Sequence, residues 1–600
     1  MLPDLLDLSS LSAGYRDGAF TPVDVVTAVL DRIAAWPDKA VWISLRSRAD
    51  LLAEAERLAA AGYDPARPLW GIPFAIKDNI DLAGLPTTAG CPAFAFTPEE
   101  DATVVARLKA AGAIAIGKTN LDQFATGLNG TRSPFGAPRS VFEAAYISGG
   151  SSSGSAVAVA AGMVSFSLGT DTAGSGRVPA AFNNLVGVKP TVGLLSGTGL
   201  LPACRSIDCI SIFGLTVDDA TRVRRVAEGF DAADPFSVAG TQMPLPAGPL
   251  RIGIPQAAEL EFFGDSGAAA LYRAAVDRMA VLGHEIVEID YGPFRAIADF
   301  LYAGPWVAER LAAVEAFHTT HAADMDPTVE KIVAGAKAMS ATDVWRGLYR
   351  FRALKRATEA EWARMDVLML PTAPTTYTVA DMMADPIRLN SNLGIYTNFV
   401  NLTDLAAIAV PAGFRPNGLP FGVTLIGPAF RDDALAALAD PLHRAGGWGP
   451  GRDRLGTLPE ETGESLSAAT DRIEIAVVGA HLAGEPLNRE LVALGGVFGR
   501  TTRTTPDYRF YALSGTVPAK PALIRQPGFA GPGIEVEVWS LPAEGFGRFV
   551  AGIPAPLGIG RLQLADGTEV SGFLGEAHAV ADAREITGFG GWRAFRAAAS

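Results

Sequence analysis

Segments with the hydrophobic spacing of amphipathic helices alternate along the chain with short, continuous apolar runs. The spacing predicts helices at 22–35, 51–61, 102–111, 267–282 and 353–365. The apolar runs predict strands at 70–76, 113–116, 250–255 and 367–372, with a turn at 117–120. Helix followed by apolar strand, repeated in this way, predicts an α/β fold with a mixed β-sheet surrounded by helices.

Two clusters rich in glycine and serine interrupt this pattern. They are GGSSSGS at 149–155 and GTDTAGSGR at 169–177, and the apolar segment between them predicts one buried helix within 155–168. Flexible serine linkers are the usual explanation of such composition, but linkers do not flank so apolar a segment. Because glycine lets the backbone approach a ligand closely, the clusters predict a site where serine hydroxyls and backbone N–H groups converge.

The second cluster also carries a run of backbone donors. Consecutive N–H groups at Thr172, Ala173, Gly174 and Ser175 predict a concavity that binds an anion. A concavity of this kind is the geometry that an oxyanion hole requires.

A nucleophilic serine requires a base, which is commonly histidine. All six histidines lie from His284 onward, so a Ser–His pair would need a distant histidine to fold back, and that arrangement stays open. Lys77 ends the apolar run in GIPFAIKDN at 71–79. Burial lowers the pKa of a lysine, and a neutral amine accepts a proton from a hydroxyl. The alternative is a surface lysine at a strand end.

Three strings resemble the amidase signature family of serine hydrolases: GIPFAIKDNID at 71–81, GGSSSGSA at 149–156 and GTDTAGSGRVPA at 169–180. The resemblance covers roughly residues 20 to 440, through GKTN at 117–120 and LTDLAAIAVP at 402–411. It implies the amidase signature fold, with Ser175 as nucleophile, Ser151 as a bridging serine on a cis peptide and Lys77 as base. It also implies that the chemistry needs no metal and no other cofactor. Ser153 stands where many family members have glycine.

Two further segments are candidates for substrate binding. Pro305 suits the first turn of a helix, which would place Tyr302 near its start and Arg310 inside it. By residue type alone, a core tyrosine and a surface arginine are the alternative. The string LYAGPWVAER at 301–310 resembles the allophanate hydrolase branch of the family, which implies that both residues bind a substrate carboxylate. Gly127 lies in a loop that lines the pocket in related enzymes, or it is a plain connecting turn.

The composition changes after residue 445. Glycine, proline and acidic residues without periodicity predict a linker, and we place it at 456–470, between a catalytic domain at 1–455 and a second domain at 471–600. Strands expected at 473–478 and 536–541 predict a smaller α+β domain. VGAHLAGEPLN at 478–488 resembles the C-terminal domain of the same branch. There His481 either transfers a proton or holds an anion, or it is structural.

Charge and composition limit the partners. The net charge of −14 argues against nucleic acid as a partner, because phosphate binding needs clustered lysine and arginine. Cysteine is scarce and lacks metal spacing, which predicts a reducing cytoplasm. The sequence contains no uninterrupted apolar run of about 18–20 residues, so no membrane span is predicted. The N-terminus lacks the basic start of a secretory signal. We also expect the protein to form a homodimer.

The resemblance to the allophanate hydrolase branch implies a specific function. The substrate would be a small carboxylated derivative of urea, the products would be ammonia and carbon dioxide, and a urea carboxylase would supply the substrate. One alternative is a broader amidase for another small amide, with a non-catalytic C-terminal domain. Another is a non-catalytic scaffold, which is disfavoured because a scaffold has no need of Lys77, Ser151 and Ser175.

Overall fold

The computed structural model describes residues 2–246, 248–459 and 472–599. The chain divides into two compact units, Met1–Leu466 and Ser467–Ser600. The predicted linker at 456–470 falls largely on residues 460–470, which lie outside the described residues. The predicted domain limits therefore stay a prediction.

A mixed sheet of eleven strands forms the centre of the first unit. Its strands are β1 (Trp42–Leu45), β2 (Pro73–Lys77), β3 (Ile114–Thr119), β4 (Phe166–Asp171), β5 (Val186–Lys189), β6 (Cys209–Gly214), β7 (Arg251–Pro255), β8 (Glu285–Ile289), β9 (Val367–Pro371), β10 (Leu405–Phe414) and β11 (Pro420–Pro428). Their spatial order is β1-β3-β2-β4-β6-β5-β10-β11-β9-β7-β8. Strand β2 pairs in parallel with β3 and β4, whereas β10 pairs antiparallel with β5 and β11. The mixed α/β sheet predicted from the sequence is confirmed.

Helices of the first unit cover this sheet. They are α1 (Leu8–Arg16), α2 (Pro22–Ala35), α3 (Arg48–Ala61), α4 (Thr103–Ala110), α5 (Ser153–Ala160), α6 (Val178–Phe182), α7 (Val217–Ala227), α8 (Ser266–Val281), α9 (Gly292–Ala303), α10 (Trp306–His321), α11 (Pro327–Gly335), α12 (Ala341–Trp362), α13 (Val379–Ala384), α14 (Arg388–Leu393), α15 (Phe399–Leu402) and α16 (Asp432–Arg444). Helix α2 begins where expected because the side chains of Thr21 and Asp24 each accept the other residue's backbone N–H. No helix among the described residues is long and apolar enough to cross a bilayer.

The strands that carry the predicted chemistry lie in the core. Every residue of β2, β3 and β4 is buried. Phe74 of β2 stacks on Phe166 of β4 with 5.0 Å between the ring centroids. Because β2 and β4 are parallel neighbours, both chains leave the sheet at the same edge, at Lys77 and Asp171.

Two local predictions around these strands are wrong. The helix expected within 155–168 ends at Ala160, and Phe166 already begins β4. A short apolar run fits a buried strand as well as a buried helix, and Gly162, with a φ of 71°, turns the chain between them. The turn expected at 117–120 is mostly strand, because β3 stays paired with β2 as far as Thr119.

The second unit contains two sheets and three helices among its described residues. They are β12 (Arg472–Val477), β13 (Val497–Arg503), β14 (Tyr508–Ala512), β15 (Pro521–Arg525), β16 (Glu535–Pro542), β17 (Leu557–Gln563), β18 (Glu569–Gly575), β19 (Arg584–Glu585), α17 (Asn488–Ala493), α18 (Ala543–Ala551) and α19 (Trp592–Ala599). The sheet orders are β13-β16-β12-β18-β17 and β15-β14-β19. The smaller α+β domain predicted from the sequence is confirmed.

Candidate active site

Lys77, the predicted base, is fully buried at the end of β2. Its Nζ donates hydrogen bonds to Ser151 Oγ and to Thr170 Oγ1, both at 2.7 Å. Thr170 lies on β4, and the parallel pairing of β4 with β2 brings its hydroxyl beside the amine. This burial excludes the alternative of a surface lysine.

The amine of Lys77 is placed to exchange a proton near neutral pH. Burial lowers the pKa of Lys77 to about 7, against the opposing electrostatic effects of Asp122, Asp208 and Asp171. In a large fraction of the molecules the amine is then uncharged at neutral pH and able to accept a proton from a hydroxyl.

Ser151 lies in the segment that precedes α5 and is fully buried against Lys77. The peptide bond between Gly150 and Ser151 is cis, as the family resemblance implies. The carbonyl of Ser151 accepts the backbone N–H of Asp122 at 3.0 Å. The serine is thus held through both its side chain and its main chain.

Ser175, the predicted nucleophile, is 2 % exposed, and its Oγ donates to the carbonyl of Gly127 at 3.5 Å. Among the described residues, no hydrogen bond joins Ser175 to Ser151. A contact of 3.5 Å is weak, and catalytic hydrogen bonds in substrate-free structures often tighten only when substrate binds. The structure therefore places Gly127 at the candidate nucleophile, whereas the link between the two serines is not formed here.

Asp171 organises the loop that carries Ser175. Its carboxylate forms a bidentate pair with Arg177, with both N–O distances 2.9 Å, and both side chains are fully buried. The carboxylate also accepts the N–H groups of Gly174 at 2.9 Å and Gly176 at 3.0 Å. Sequence reasoning assigned Asp171 and Arg177 no role, although an acid and a base six residues apart in one motif were a usable signal.

These bonds correct the predicted oxyanion hole. The N–H of Gly174 is taken by Asp171, so the inclusion of Gly174 as a donor is wrong. Within the described part of the chain, the N–H groups of Thr172, Ala173 and Ser175 donate no hydrogen bond. Donors without protein acceptors, next to the Ser175 hydroxyl, are what an oxyanion hole needs.

Tyr302 and Arg310 lie on two different helices. Tyr302 is in the last turn of α9, and Pro305 precedes α10, so the placement of Tyr302 at the start of the helix containing Arg310 is wrong. The two side chains are nevertheless in contact, because the guanidinium carbon of Arg310 lies 5.3 Å from the centre of the Tyr302 ring. Arg310 is 2 % exposed, which excludes the alternative of a surface arginine.

The guanidinium of Arg310 is only partly hydrogen-bonded. Its Nη1 donates to Thr126 Oγ1 at 3.1 Å, while Nε and Nη2 are buried without a partner among the described residues. No carboxylate in that part of the chain forms an ion pair with it. A buried, unpaired guanidinium is costly, and its planar donors suit a carboxylate bound in a bidentate manner.

Adjacent residues connect this arginine to the nucleophile. Thr126 contacts Arg310, and Gly127, the next residue, accepts the Ser175 hydroxyl. An added Cβ at Gly127 would lie 2.4 Å from Asp122 Oδ2, so a larger residue at this position would displace the Asp122 carboxylate. A cavity of about 280 Å³ beside the loop is lined by Tyr302 and Arg132.

Asp208 is a further buried carboxylate that sequence reasoning missed. Its Oδ2 accepts the N–H groups of Ala203 at 2.5 Å and Cys204 at 3.2 Å. Burial raises the pKa of Asp208 to about 6, against the opposing effects of the Thr172 hydroxyl and the Arg310 charge. The residue thus lies between the candidate oxyanion loop and the candidate carboxylate site.

His481 belongs to the second unit. Its Nε2 lies 3.1 Å from Glu490 Oε2, and its ring stacks on Phe573 with 5.3 Å between centroids. Burial lowers the pKa of His481, against the opposing effect of Glu490. These residues and Lys520 line a cavity of about 400 Å³. The setting of His481 is therefore a pocket with a cation, a carboxylate and a ring that is largely neutral at pH 7.

Models of two protein families match the chain. The amidase model matches residues 24–436, and the model of the allophanate hydrolase C-terminal domain matches residues 473–597. The first match includes Lys77, Ser151, Ser175 and Arg310, and the second includes His481.

Individual relatives extend these matches. Urea amidolyase of Lachancea kluyveri is 44% identical over 580 residues, which cover 93% of this chain and 31% of that protein. This chain thus spans about a third of the length of that curated relative. The solved allophanate hydrolase of Kluyveromyces lactis is 40% identical, with a TM-score of 0.75 and coverage of 97% of this chain and 98% of that one. The solved peptide amidase of Stenotrophomonas maltophilia is 27% identical, with a TM-score of 0.63 and coverage of 75% of this chain and 99% of that one.

Proposed function

The chain belongs to the amidase family, and on that premise we propose that it is an allophanate hydrolase, which hydrolyses the amide of urea-1-carboxylate. The likeness to the K. lactis allophanate hydrolase over the whole chain supports this substrate. The chemistry is acyl transfer to a serine, with Lys77, Ser151 and Ser175 in a relay.

The relay begins at the hydrogen bond between Lys77 and Ser151. Neutral Lys77 accepts the proton of Ser151, to which it is already hydrogen-bonded. Ser151 in turn takes the proton of Ser175 as the Ser175 hydroxyl leaves Gly127 and attacks the amide carbonyl. The proton returns along the same path to the leaving nitrogen, which departs as ammonia. Water then hydrolyses the acyl-enzyme with the relay again acting as base.

The negative charge that develops on the carbonyl oxygen needs donors without other acceptors. We assign this role to the N–H groups of Thr172, Ala173 and Ser175. One such donor is worth about 3–4 kcal/mol of transition-state stabilisation. The bidentate pair of Asp171 and Arg177 holds the loop rigid, so these donors need not reorganise during the reaction.

The unpaired guanidinium of Arg310 is the observation that carries the choice of substrate. Its free Nε and Nη2 present a planar fork that matches a carboxylate, and the Tyr302 ring covers the same guanidinium. Allophanate carries a carboxylate near its amide carbon. This fits the position of Arg310, which contacts Thr126, the neighbour of the Gly127 that accepts the Ser175 hydroxyl. A neutral amide without such a carboxylate would leave these two buried donors without an acceptor.

The second unit is assigned the later step. Hydrolysis of allophanate leaves an amine that carries two carboxylates, and this product loses carbon dioxide to complete the reaction. Lys520 supplies a positive charge to the pocket of His481. A neutral imidazole can relay a proton to the nitrogen as carbon dioxide departs, because one ring nitrogen gives up its proton while the other takes one from water. We expect His481→Asn to retain the first release of ammonia and to slow the release of carbon dioxide, measured by coupled assays; equal rates in both assays would remove His481 from the reaction.

The wider setting follows from the same proposal. Allophanate is a carboxylated urea, so a urea carboxylase must supply it. We place the protein in the cytoplasm as a homodimer, on the basis of its scarce cysteines and its family resemblance. Light scattering on the purified protein tests the dimer, and a monomeric mass would contradict it.

The decisive experiment measures ammonia release from allophanate, malonamate and propionamide by the purified full chain. We expect selective turnover of the two carboxylated substrates. Ser175→Ala should abolish turnover while leaving the circular dichroism spectrum unchanged, because it removes one hydroxyl without opening a large cavity. Preference for propionamide would favour the broader amidase instead, and undiminished activity of Ser175→Ala would exclude Ser175 as nucleophile.

A further inference from the structure

Asp122, just after β3, is a fully buried carboxylate that the relay does not use. No lysine or arginine among the described residues forms an ion pair with it. Its oxygens instead accept three backbone N–H groups, with Oδ2 bound by Asn129 at 3.2 Å and Gly130 at 3.0 Å, and Oδ1 bound by Arg132 at 3.0 Å. One side chain thus closes the loop 123–132 on itself.

This closed loop holds the two contacts that define the candidate substrate site. Thr126 accepts a hydrogen bond from Arg310, and the Gly127 carbonyl accepts one from Ser175. The loop has no regular secondary structure beyond a single turn, so its shape depends on hydrogen bonds, three of them to Asp122 and others to Asn390. A displacement of Asp122 would therefore move both contacts together.

The same residue also contacts the bridging serine. Its backbone N–H donates to the Ser151 carbonyl at 3.0 Å. Its Oδ2 would lie 2.2 Å from a Cβ added at Gly150 and 2.4 Å from one added at Gly127. Asp122 is thus wedged between the Gly150–Ser151 peptide and the loop that touches Ser175.

The charge of Asp122 acts on Lys77. Among the groups that favour protonated Lys77, Asp122 has the largest effect, followed by Asp208 and Asp171. Asp171 is compensated, because it pairs with Arg177. Asp122 has no such paired cation among the described residues, and of the three carboxylates it acts most strongly on the amine.

We propose that Asp122 is a positioning residue that couples the base to the substrate site, holding Lys77, Ser151, Ser175 and Arg310 in register through one carboxylate. This inference rests on the proposed Ser-Ser-Lys relay. It extends the relay by a residue that contacts neither the substrate nor the transferred proton.

The test is the pH profile of kcat/KM for Asp122→Asn on malonamate and on propionamide. Asparagine has nearly the same shape but loses the charge and turns an NH₂ group toward backbone donors. Without the carboxylate, protonated Lys77 is less favoured, so the acidic limb should move to lower pH by about 1 unit. The distorted loop should also lower kcat about tenfold or more on both amides and raise KM for malonamate, whose carboxylate depends on Arg310.

Asp234→Asn is the matched control for loss of a loop-capping carboxylate. Asp234 also accepts two backbone N–H groups, from Gly197 at 2.7 Å and Phe236 at 3.0 Å, but it is not among the charges that act on Lys77. The acidic limb of the kcat/KM profile of Asp234→Asn should match that of the wild type. An unshifted limb in Asp122→Asn, or the same shift in both variants, would overturn the proposal.

A second variant covers the case in which Asp122→Asn does not fold. Gly127→Ala pushes a methyl group against the Asp122 carboxylate without removing its charge. We expect a lower kcat on both amides, and a wild-type kcat would overturn the proposal. A wild-type preference for propionamide would refute the proposed substrate, yet the role of Asp122 would still be decided on that amide.

Discussion

Replacing Arg310 by lysine tests the choice of substrate most directly, because it keeps the charge and removes the planar fork. The guanidinium offers Nε and Nη2 as free donors, and a hydrogen bond to a charged group is worth about 1.5–3 kcal/mol. An ammonium replaces one of the two bonds at best. The expected loss of one bond corresponds to about a 10- to 150-fold lower kcat/KM on a carboxylated amide.

The assay compares malonamate with propionamide, in which a methyl group stands where malonamate has its carboxylate. Ammonia release over a range of concentrations separates KM from kcat for each amide. The loss should be confined to malonamate and should lie mainly in KM, because the carboxylate is bound equally before and during the reaction. Thr126→Val is the matched control, since it removes the hydrogen bond between Thr126 and Arg310 and leaves the fork intact.

Two results would refute this reasoning. An equal loss on both amides would mean that Arg310 supports the loop at Thr126 and Gly127 rather than the substrate. An unchanged KM for malonamate would mean that the free donors of Arg310 do not bind the carboxylate.

The structure supports further predictions. Because protonated Lys77 cannot accept a proton and its pKa is lowered to about 7, wild-type kcat/KM should fall as the pH drops below about 7; a pH-independent rate between about 5 and 8 would contradict Lys77 as base. Thr170→Val removes a hydrogen bond of 2.7 Å from the amine and should lower kcat with little change in KM, whereas a change confined to KM would place Thr170 in substrate binding. Phe166→Ala should lower the free energy of unfolding in urea by about 3–5 kcal/mol, because the ring is fully buried against Phe74; the exposed Phe230, changed to alanine, should cost about 0.5 kcal/mol or less.

Much of the fold was accessible from local patterns. Helix α2 begins at Pro22 as predicted because its capping box lies within four consecutive residues. The apolar run that ends at Lys77 predicted a strand, and β2 is that strand. The segment at 155–168 was harder, because an apolar run of this length satisfies both helix and strand, and only the pairing of Phe166 with neighbouring strands decides between them.

The candidate site divides in a similar way. The motifs alone named Lys77, Ser151 and Ser175 as a group, and the structure places the amine of Lys77 2.7 Å from Ser151 Oγ. The motif could not show that the N–H of Gly174 is already taken, because the use of a backbone donor depends on the acceptor that folding brings to it.

The sequence by itself thus predicted the proposed chemistry, since the candidate nucleophile, the candidate base and the arginine all lie in short motifs. Tertiary structure decided how these groups are held. The hydrogen bond between Arg310 and Thr126 joins residues 184 positions apart. Asp122 forms hydrogen bonds with Ser151 and with the loop 123–132, and its charge favours the protonated form of Lys77. Hydrogen bonds and electrostatic effects act through distance in space, so residues that are unremarkable in sequence acquire their roles only when the sheet brings them together.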